Sequence, residues 1–126
     1  MSINKYDVII VGGGLIGLAS SIFLCKIGLK IIIVEKNQIT INKPNNYDLR
    51  TTAISEGTKK ILENFEVWNK LKKYVQEIKT IKVFDRNSTN NIHFTNPKKT
   101  SFLGYIVENF YLKKILLNKI KNFRNI

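Results

Sequence analysis

Three glycines near the start of the chain have the spacing of a phosphate-binding turn. Gly12, Gly14 and Gly17 form the pattern G-x-G-x-x-G. In such a turn the first glycine permits a tight bend, the second lets the backbone approach a pyrophosphate, and the third lets the next helix pack closely on the strand. The free N–H groups of that helix, beginning with Leu15 and Ile16, then face the phosphates. The spacing therefore favours dinucleotide binding.

A carboxylate follows the glycines at the distance expected for ribose recognition. Glu35 ends a second apolar run, about twenty residues further on, where an acidic side chain usually accepts a hydrogen bond from a ribose hydroxyl. Its charge would repel a ribose 2′-phosphate, so FAD or NAD is favoured over NADP. Lys36, the next residue, is included among the predicted cofactor-binding residues.

The elements that position these residues are predicted to be a strand, a helix and a second strand. Residues 6–11 form an apolar, β-branched run that predicts a parallel strand buried on both faces. The helix is predicted to be largely buried and to end at Gly28, and residues 30–34 predict a second buried strand. The apolar stripe of the predicted helix comprises Leu15, Leu18, Ala19 and Ile22, widened by Ile16, Phe23 and Ile27. This context makes an otherwise weak glycine motif specific.

Two other interpretations of the same run are a membrane span and a signal peptide. Residues 8–25 carry no charge and are just long enough to span a bilayer, and Lys5 resembles a signal-peptide start. The adjacent glycines, Asp7 and the second apolar run after Lys30 argue against both. We therefore expect neither a membrane span nor a signal peptide. The expected location is cytoplasmic, or peripheral at the inner membrane.

Composition restricts the class of protein. The 126 residues leave room for one domain at most. The net charge of +12 suggests a polyanionic partner, but the basic residues are mostly dispersed lysines without a nucleic-acid-binding signature, so no nucleic acid is predicted. The single cysteine, Cys25, lies in the predicted buried helix, which favours a packing role. The single histidine, His93, has no neighbouring acid or cysteine, so no metal site is predicted.

The middle of the chain predicts a loop followed by a helix. Residues 36–49 are polar, and Asp48 and Arg50 emerge just before the helix, where their spacing alone favours a surface ion pair. Ser55 is the predicted N-cap. The apolar stripe of this helix consists of Ile61, Leu62, Phe65 and Trp68.

The last third of the chain predicts short strands and a final helix. Residues 79–86 predict a half-buried strand, residues 92–95 its antiparallel partner across a turn, and residues 103–107 a third strand. Asn109 is the predicted cap of a basic amphipathic helix. Such a helix packs on a core more often than it lies on a membrane surface.

Three segments follow one another in an order typical of one enzyme family. They are DVIIVGGGLIGLASSIFL, DLRTTAISEGTKKILENFEVWNKL and LGYIVENFYLKKIL. Together they resemble the N-terminal part of the UbiH-like ubiquinone-biosynthesis hydroxylases, FAD-dependent aromatic monooxygenases related to para-hydroxybenzoate hydroxylase. The resemblance implies an α/β fold: a Rossmann-like FAD-binding βαβ unit followed by helices and a short antiparallel strand segment, incomplete relative to the family. Residues 1–75 would hold the βαβ unit and next helix, 76–107 the strand-rich segment, and 108–126 the amphipathic helix.

The resemblance also implies roles for individual residues. The three glycines of the turn would hold the FAD pyrophosphate, and Glu35 the adenosine ribose. Arg50 stands where the family has an arginine that reaches the FAD phosphate and flavin side, which replaces the ion-pair interpretation. Asn109 matches a polar position that also approaches the cofactor. Glu66 stands where the family usually has glycine, so that turn is expected to be altered.

The family has two later FAD motifs, containing Asp-Gly and Gly-Asp, and this sequence ends before both. The resemblance therefore implies the opening third of a hydroxylase that acts on a polyprenylated phenol, with FAD as cofactor and NAD(P)H as electron donor. No catalytic residue is predicted, and this chain alone is expected to be inactive. Its expected partners are FAD, a lipophilic phenolic substrate and a downstream polypeptide. The alternatives are the nucleotide-binding half of a split flavoprotein and an inert gene remnant.

Overall fold

The computed structural model describes residues 5–38, 49–86, 90–96 and 102–126. In chain order the elements are β1 (Val8–Val11), α1 (Leu15–Lys26), β2 (Ile31–Val34), β3 (Thr51–Ile54), α2 (Glu56–Asn64), α3 (Trp68–Leu71), a 3-10 turn (Lys72–Tyr74), β4 (Val75–Ile78), β5 (Thr80–Phe84), β6 (Asn91–Thr95), β7 (Gly104–Glu108) and α4 (Asn109–Ile120). The predicted α/β fold is confirmed. The predicted loop over residues 36–49 and the turn before β6 lie largely outside the described residues.

The first unit is the predicted βαβ arrangement. Strands β1 and β2 pair in parallel, with Val8 opposite Ile31, and α1 connects them. The prediction that β1 is buried on both faces is wrong, because Ile9 and Val11 are 67% and 86% exposed. Helix α1 covers one face of the pair, and no element within the described ranges covers the other.

Helix α1 is less buried than its composition predicts. Leu18 and Ile22 are buried, whereas Ile16, Phe23 and Ile27 are 81%, 55% and 61% exposed. The helix packs on the strands and on α4, and its remaining side faces outward. An apolar helix is buried all round only when the fold supplies neighbours on every side.

The C-terminal end of α1 has the predicted structure. Gly28 takes a φ of +94°, a left-handed conformation that favours glycine, and its N–H donates to the carbonyl of Cys25. Cys25 is buried, as its packing role requires, and its thiol donates to Oδ1 of Asn125 (2.7 Å). Burial raises the pKa of this thiol, so it stays protonated at neutral pH. Residues 8–25 thus form a strand, a turn and a helix, and no described helix is both long and apolar enough to cross a bilayer.

The second unit is a three-stranded antiparallel sheet with β7 at its centre, between β3 and β4. The predicted strand at residues 103–107 is confirmed as β7, shifted by one residue. Strand β3 was not predicted from the sequence, because its four residues have no alternating apolar pattern of their own and form a strand only by pairing with a distant one. Its first residue, Thr51, pairs with Glu108.

Strands β5 and β6 form a separate hairpin. The predicted antiparallel pairing is confirmed, with Ile81 opposite Phe94 and Val83 opposite Ile92. The prediction of a half-buried strand is wrong, because every residue of both strands is exposed. His93 lies on β6 and is exposed, as its polar surroundings suggested.

One core joins the βαβ unit to the antiparallel sheet. Its buried members are Leu18, Ile22, Ile54, Leu62, Phe65, Val67, Trp68, Leu71, Tyr105, Val107, Leu112, Ile115 and Leu116. Because the last three lie on α4, the prediction that this helix packs on a core is confirmed. The predicted stripe from Ile61 to Trp68 is wrong in part, since α2 ends at Asn64, Trp68 belongs to α3 and Ile61 is 52% exposed.

The two predicted helix caps have different outcomes. Ser55 caps α2, because its Oγ accepts a hydrogen bond from the N–H of Thr58 (3.1 Å). Asn109 is wrong as a cap, because it is the first residue of α4 and Glu108 occupies the cap position. The β-region backbone of Glu108 ends β7 there, and no side chain caps the helix.

The turn after α2 holds a strained residue. Glu66 has a φ of +57°, a left-handed conformation that glycine adopts without cost. Its carboxylate accepts a hydrogen bond from Nζ of Lys119 (2.5 Å), which lowers the pKa of Glu66. Glu66 therefore combines a left-handed backbone in the turn with an ion pair to α4.

We expect Glu66→Gly to be more stable than Glu66→Ala by about 1 kcal/mol, because both lose the ion pair but only alanine keeps the left-handed strain. Urea denaturation of the two variants, followed by circular dichroism, measures the difference. Equal free energies of unfolding would show that the backbone at this position carries no strain.

Candidate cofactor-binding site

The glycine turn lies between the carboxyl end of β1 and the start of α1. Gly12 has a φ of +108°, and its N–H donates to the carbonyl of Val34 (2.8 Å), which fixes the turn to the end of β2. The predicted tight bend at Gly12 is confirmed. A Cβ built on Gly12 or Gly14 would meet no atom within 4 Å. There is therefore open space beside the turn.

The start of α1 faces this space without a side-chain cap. Gly14 is the N-cap residue and has no side chain to accept the first N–H groups, and the first turn contains no acidic residue. Leu15 is partly buried against the core, whereas Ile16 points outward and is 81% exposed. A helix N-terminus in this state has free donors and the positive end of the helix dipole, which together favour an anion.

Gly17 brings the helix close to the turn. A Cβ at this position would lie 2.1 Å from the carbonyl oxygen of Gly12 and 3.3 Å from Cγ2 of Ile10. Real Cβ atoms do not approach a backbone oxygen so closely, so only glycine fits. The predicted close packing of helix on strand at Gly17 is confirmed.

Glu35 is fixed against the glycine turn. Its Oε1 accepts a hydrogen bond from the N–H of Asn37 (3.0 Å), and its Oε2 accepts one from the N–H of Gly13 (2.6 Å). These two bonds, in that order, lower the pKa of Glu35, and the N–H of Lys36 contributes in the same direction. The carboxylate is therefore ionised at the mouth of the turn, while the side chain of Lys36 is exposed. The sequence prediction did not include Gly13, because the pattern does not show which N–H meets the carboxylate.

A second group of polar residues lies where β3 begins and β7 ends. The N–H of Asn109 donates to the carbonyl of Arg50 (2.9 Å), and the hydroxyl of Thr52 donates to Oδ1 of Asn109 (2.5 Å). The structure thus brings together Arg50 and Asn109, two residues that the resemblance assigned to the cofactor. The side chain of Arg50 is exposed, and Asp48 lies outside the described residues.

Lys113 connects the second group to the first. It follows Asn109 by four residues on α4, so both lie on one side of the helix. Its positive charge is close enough to lower the pKa of Glu35, although less than the N–H groups of Asn37 and Gly13 do. Sequence reasoning missed this lysine. The four-residue spacing from Asn109 was the available signal, but Lys114 and Lys119 on the same helix obscure such a pattern.

These residues fit the adenosine diphosphate half of a dinucleotide. Open space lies beside an uncapped helix N-terminus, where a pyrophosphate needs donors, and Glu35 offers carboxylate oxygens next to it. The exposed Arg50 supplies positive charge. Within the described ranges, no three metal-ligating side chains converge, and no contact identifies a cradle for a flavin ring.

Curated proteins to which this chain is similar include ubiquinone-biosynthesis enzymes. The chain is 32% identical to the ubiquinone biosynthesis monooxygenase COQ6 of Dictyostelium discoideum, over 98% of this chain and 28% of that protein. It is 29% identical to the ubiquinone hydroxylase UbiL of Rhodospirillum rubrum, over 90% of this chain and 27% of the relative. The chain thus spans just over a quarter of the length of these relatives. The predicted resemblance is confirmed.

Solved structures show the same fold. PqsL of Pseudomonas aeruginosa, a probable FAD-dependent monooxygenase, superposes with a TM-score of 0.70 at 17% identity, over 97% of this chain and 32% of that one. CtdE in complex with FAD gives 0.63 at 21% identity, over 94% and 28%. Identity this low supports the fold alone.

The family itself is defined by a match over nearly the whole chain. Residues 5–123 match the family model described as an FAD binding domain, a range that includes the glycine turn, Glu35, Arg50 and Asn109. FAD is therefore confirmed over NAD as the cofactor of the family. The chain belongs to the family of FAD binding domains.

Proposed function

We propose that this chain binds the adenosine diphosphate half of FAD in an aromatic monooxygenase that hydroxylates a polyprenylated phenol in ubiquinone biosynthesis. The observation that carries the proposal is the fixed carboxylate of Glu35 on the glycine turn, beside a helix N-terminus without a cap. The similarity to COQ6, a ubiquinone biosynthesis monooxygenase, and to UbiL, a ubiquinone hydroxylase, supports the choice of reaction.

The residues of the turn would bind and orient the cofactor. The N–H groups at the start of α1, from Leu15 to Gly17, would donate to the pyrophosphate across the space beside Gly14. Glu35 would accept a hydrogen bond from a ribose hydroxyl through a lone pair that Gly13 and Asn37 leave available. When bound, FAD supplies the redox chemistry, with electrons from NAD(P)H.

The second group would act at the phosphate and flavin side. The guanidinium of Arg50 offers a fixed fork of donors to phosphate oxygens, and the amide of Asn109 offers a hydrogen bond without charge. Lys113 would add positive charge between Glu35 and this group. Lys36 would remain at the ribose end with an exposed side chain.

We infer that residues outside this sequence supply the flavin cradle and the substrate site, on the same chain or on a separate polypeptide. With only the adenosine end held, we expect the 126-residue chain to purify without yellow colour. We also expect FAD and ADP to bind it with equal affinity at the turn, because the flavin ring gains no contact. Calorimetric titrations, a visible spectrum and NADH consumption with added FAD measure these outcomes. Stoichiometric flavin with substrate-dependent turnover would show a complete site in this short chain.

The split-protein alternative has its own test. If an open reading frame downstream encodes the Asp-Gly and Gly-Asp motifs, its product mixed with this chain should form a yellow complex that oxidises NADH. An inert remnant would form no complex with that product and would bind no flavin, either alone or in the mixture.

Arg50→Ala should weaken FAD binding by about 1.5 to 3 kcal/mol, or roughly 10- to 150-fold, because a charge-assisted hydrogen bond to a phosphate is lost. Lys60→Ala, which removes an exposed charge on α2, is the matched control. Titration with FAD compares the variants. Unchanged affinity in Arg50→Ala would return this arginine to a surface role.

A further inference from the structure

Two neighbouring clefts share a stacked pair of tyrosines. The rings of Tyr74 and Tyr111 lie 4.0 Å apart between centroids, at an angle of 10°. The first cleft, which we name the lysine cleft, has a volume of about 370 Å³ and lies between α3 and α4. The second, the Glu108 cleft, has a volume of about 480 Å³ and lies over β3, β7 and β4. Both tyrosines line both clefts, so the clefts are continuous around the rings.

The lysine cleft is positively charged. Lys70, Lys73 and Lys114 line it together with Asn69 and Asn118, and the described residues around it include no carboxylate. Nζ of Lys73 lies 5.0 Å from the centroid of the Tyr74 ring, which positions this charge where the two clefts meet. Three ammonium groups and two amides around one concave surface suit a phosphate group.

One carboxylate oxygen of Glu108, which lines the second cleft, lacks a hydrogen-bond donor. Oε2 of Glu108 is buried and has no partner among the described residues. A buried carboxylate oxygen without a partner costs free energy, so such an atom calls for a ligand or an ordered water. Ile106 and the two tyrosines supply apolar and aromatic surface beside it. This combination suits an aromatic ring that carries an N–H donor.

The clefts are separate from the glycine turn and its partners. Successive residues of a strand point to opposite faces of the sheet. Thr52 therefore reaches Asn109 on one face, whereas Thr51, the direct partner of Glu108 in the sheet, lines the Glu108 cleft on the other. A ligand in the clefts would not compete for the space beside Gly14.

We propose that the two clefts form one binding site for a nucleotide, distinct from the FAD site. The phosphates lie among the lysines, the base packs against the tyrosine pair, and an amino group of the base donates to Glu108. The unpartnered Oε2 of Glu108 and the cluster of lysines, in two clefts that share one aromatic pair, carry the assignment.

The test uses ADP and the full 126-residue chain with Gly14→Val, which removes the glycine turn as a second ADP site. One ADP should bind this variant. Adding Lys73→Gln and Lys114→Gln should weaken ADP binding at least about tenfold, because two charge-assisted contacts are lost. Lys60→Gln with Lys121→Gln, which removes the same charge from exposed positions outside the clefts, should leave it unchanged. Equal effects of the two pairs, or no ADP binding in Gly14→Val, would overturn the proposal.

A second variant tests the carboxylate. Glu108→Met keeps the length of the side chain but removes the acceptor, so the preference for ADP over purine riboside diphosphate, whose base carries no N–H donor, should fall by about tenfold. The melting temperature should not decrease, because an unpartnered buried acid is removed. No preference for ADP in the parent chain would overturn the role of Glu108.

Two further probes separate the sources of phosphate. Inorganic phosphate that binds as tightly as ADP would show a simple anion site and overturn the nucleotide assignment. If phosphatidylglycerol vesicles bind through the cleft lysines and ADP does not, the site is one for lipid headgroups. That outcome would also overturn the nucleotide assignment. Failure of the FAD proposal is distinguishable, because it appears as an FAD affinity that Gly14→Val does not change.

Discussion

Gly14→Val should abolish FAD binding at the glycine turn and leave the fold of the chain intact. The backbone at Gly14 has a φ of −75° and a ψ of −177°, which any residue adopts, and a Cβ there would meet no protein atom within 4 Å. The new side chain therefore occupies only the space that the pyrophosphate would fill, between the turn and the helix N-terminus. Calorimetric titration with FAD measures the loss, and circular dichroism with thermal melting checks the fold.

The matched control is Gly14→Ala, which adds one methyl group in the same direction. We expect a smaller loss of FAD affinity, because a single Cβ removes only part of the open space. A valine variant that binds FAD as tightly as the original chain would show that the turn is not the phosphate cradle. The site would then have to lie elsewhere on the chain.

The glycine turn was predictable because its requirements are local. The left-handed Gly12, the uncapped start of α1 at Gly14 and the close contact at Gly17 depend on residues within one turn of chain. Glycine is the one residue type suited to a positive φ or to a contact of this kind. The strand, helix and second strand around them have strong apolar patterns, so the βαβ unit was predictable as well.

Contacts between distant segments were not predictable in the same way. Strand β3 exists because Thr51 and Ile54 pair with Glu108 and Tyr105, more than fifty residues away. The charge of Lys113 beside Glu35 depends on how α4 packs against α1. Strand β3 has no apolar pattern of its own, and the spacing of Lys113 from Asn109 does not show that the packing of α4 brings this charge to Glu35.

Burial was overestimated for a related reason. An apolar pattern shows which side chains favour burial, but the neighbours that cover them determine whether burial occurs. Ile9 and Val11 of β1 and Phe23 of α1 have the expected composition, and the described elements leave all three exposed. The hairpin of β5 and β6 shows the same effect on a whole pair of strands.

Gly17→Ala should destabilise the fold itself by at least about 3 kcal/mol, the upper range of overpacking in a closely packed interior. The added Cβ would lie 2.1 Å from the carbonyl oxygen of Gly12, and neither group can rotate away, because one is backbone and the other is fixed to it. To relieve the contact, α1 must move off β1, which disturbs the buried Leu18 and Ile22. Urea denaturation followed through Trp68, the single tryptophan and a buried one, reports the change.

The control for this change is Gly57→Ala, a glycine to alanine substitution in α2. A Cβ at Gly57 would meet only Oγ of Ser55, at an ordinary 3.7 Å. We therefore expect this variant to gain up to about 1 kcal/mol, because alanine favours a helix over glycine. A lower free energy of unfolding in Gly17→Ala together with a higher one in Gly57→Ala would show that the close contact between Gly17 and Gly12 is what excludes a side chain. Similar free energies of unfolding would mean that α1 can shift from β1 without loss, and the turn would then not be the rigid phosphate cradle that its geometry indicates.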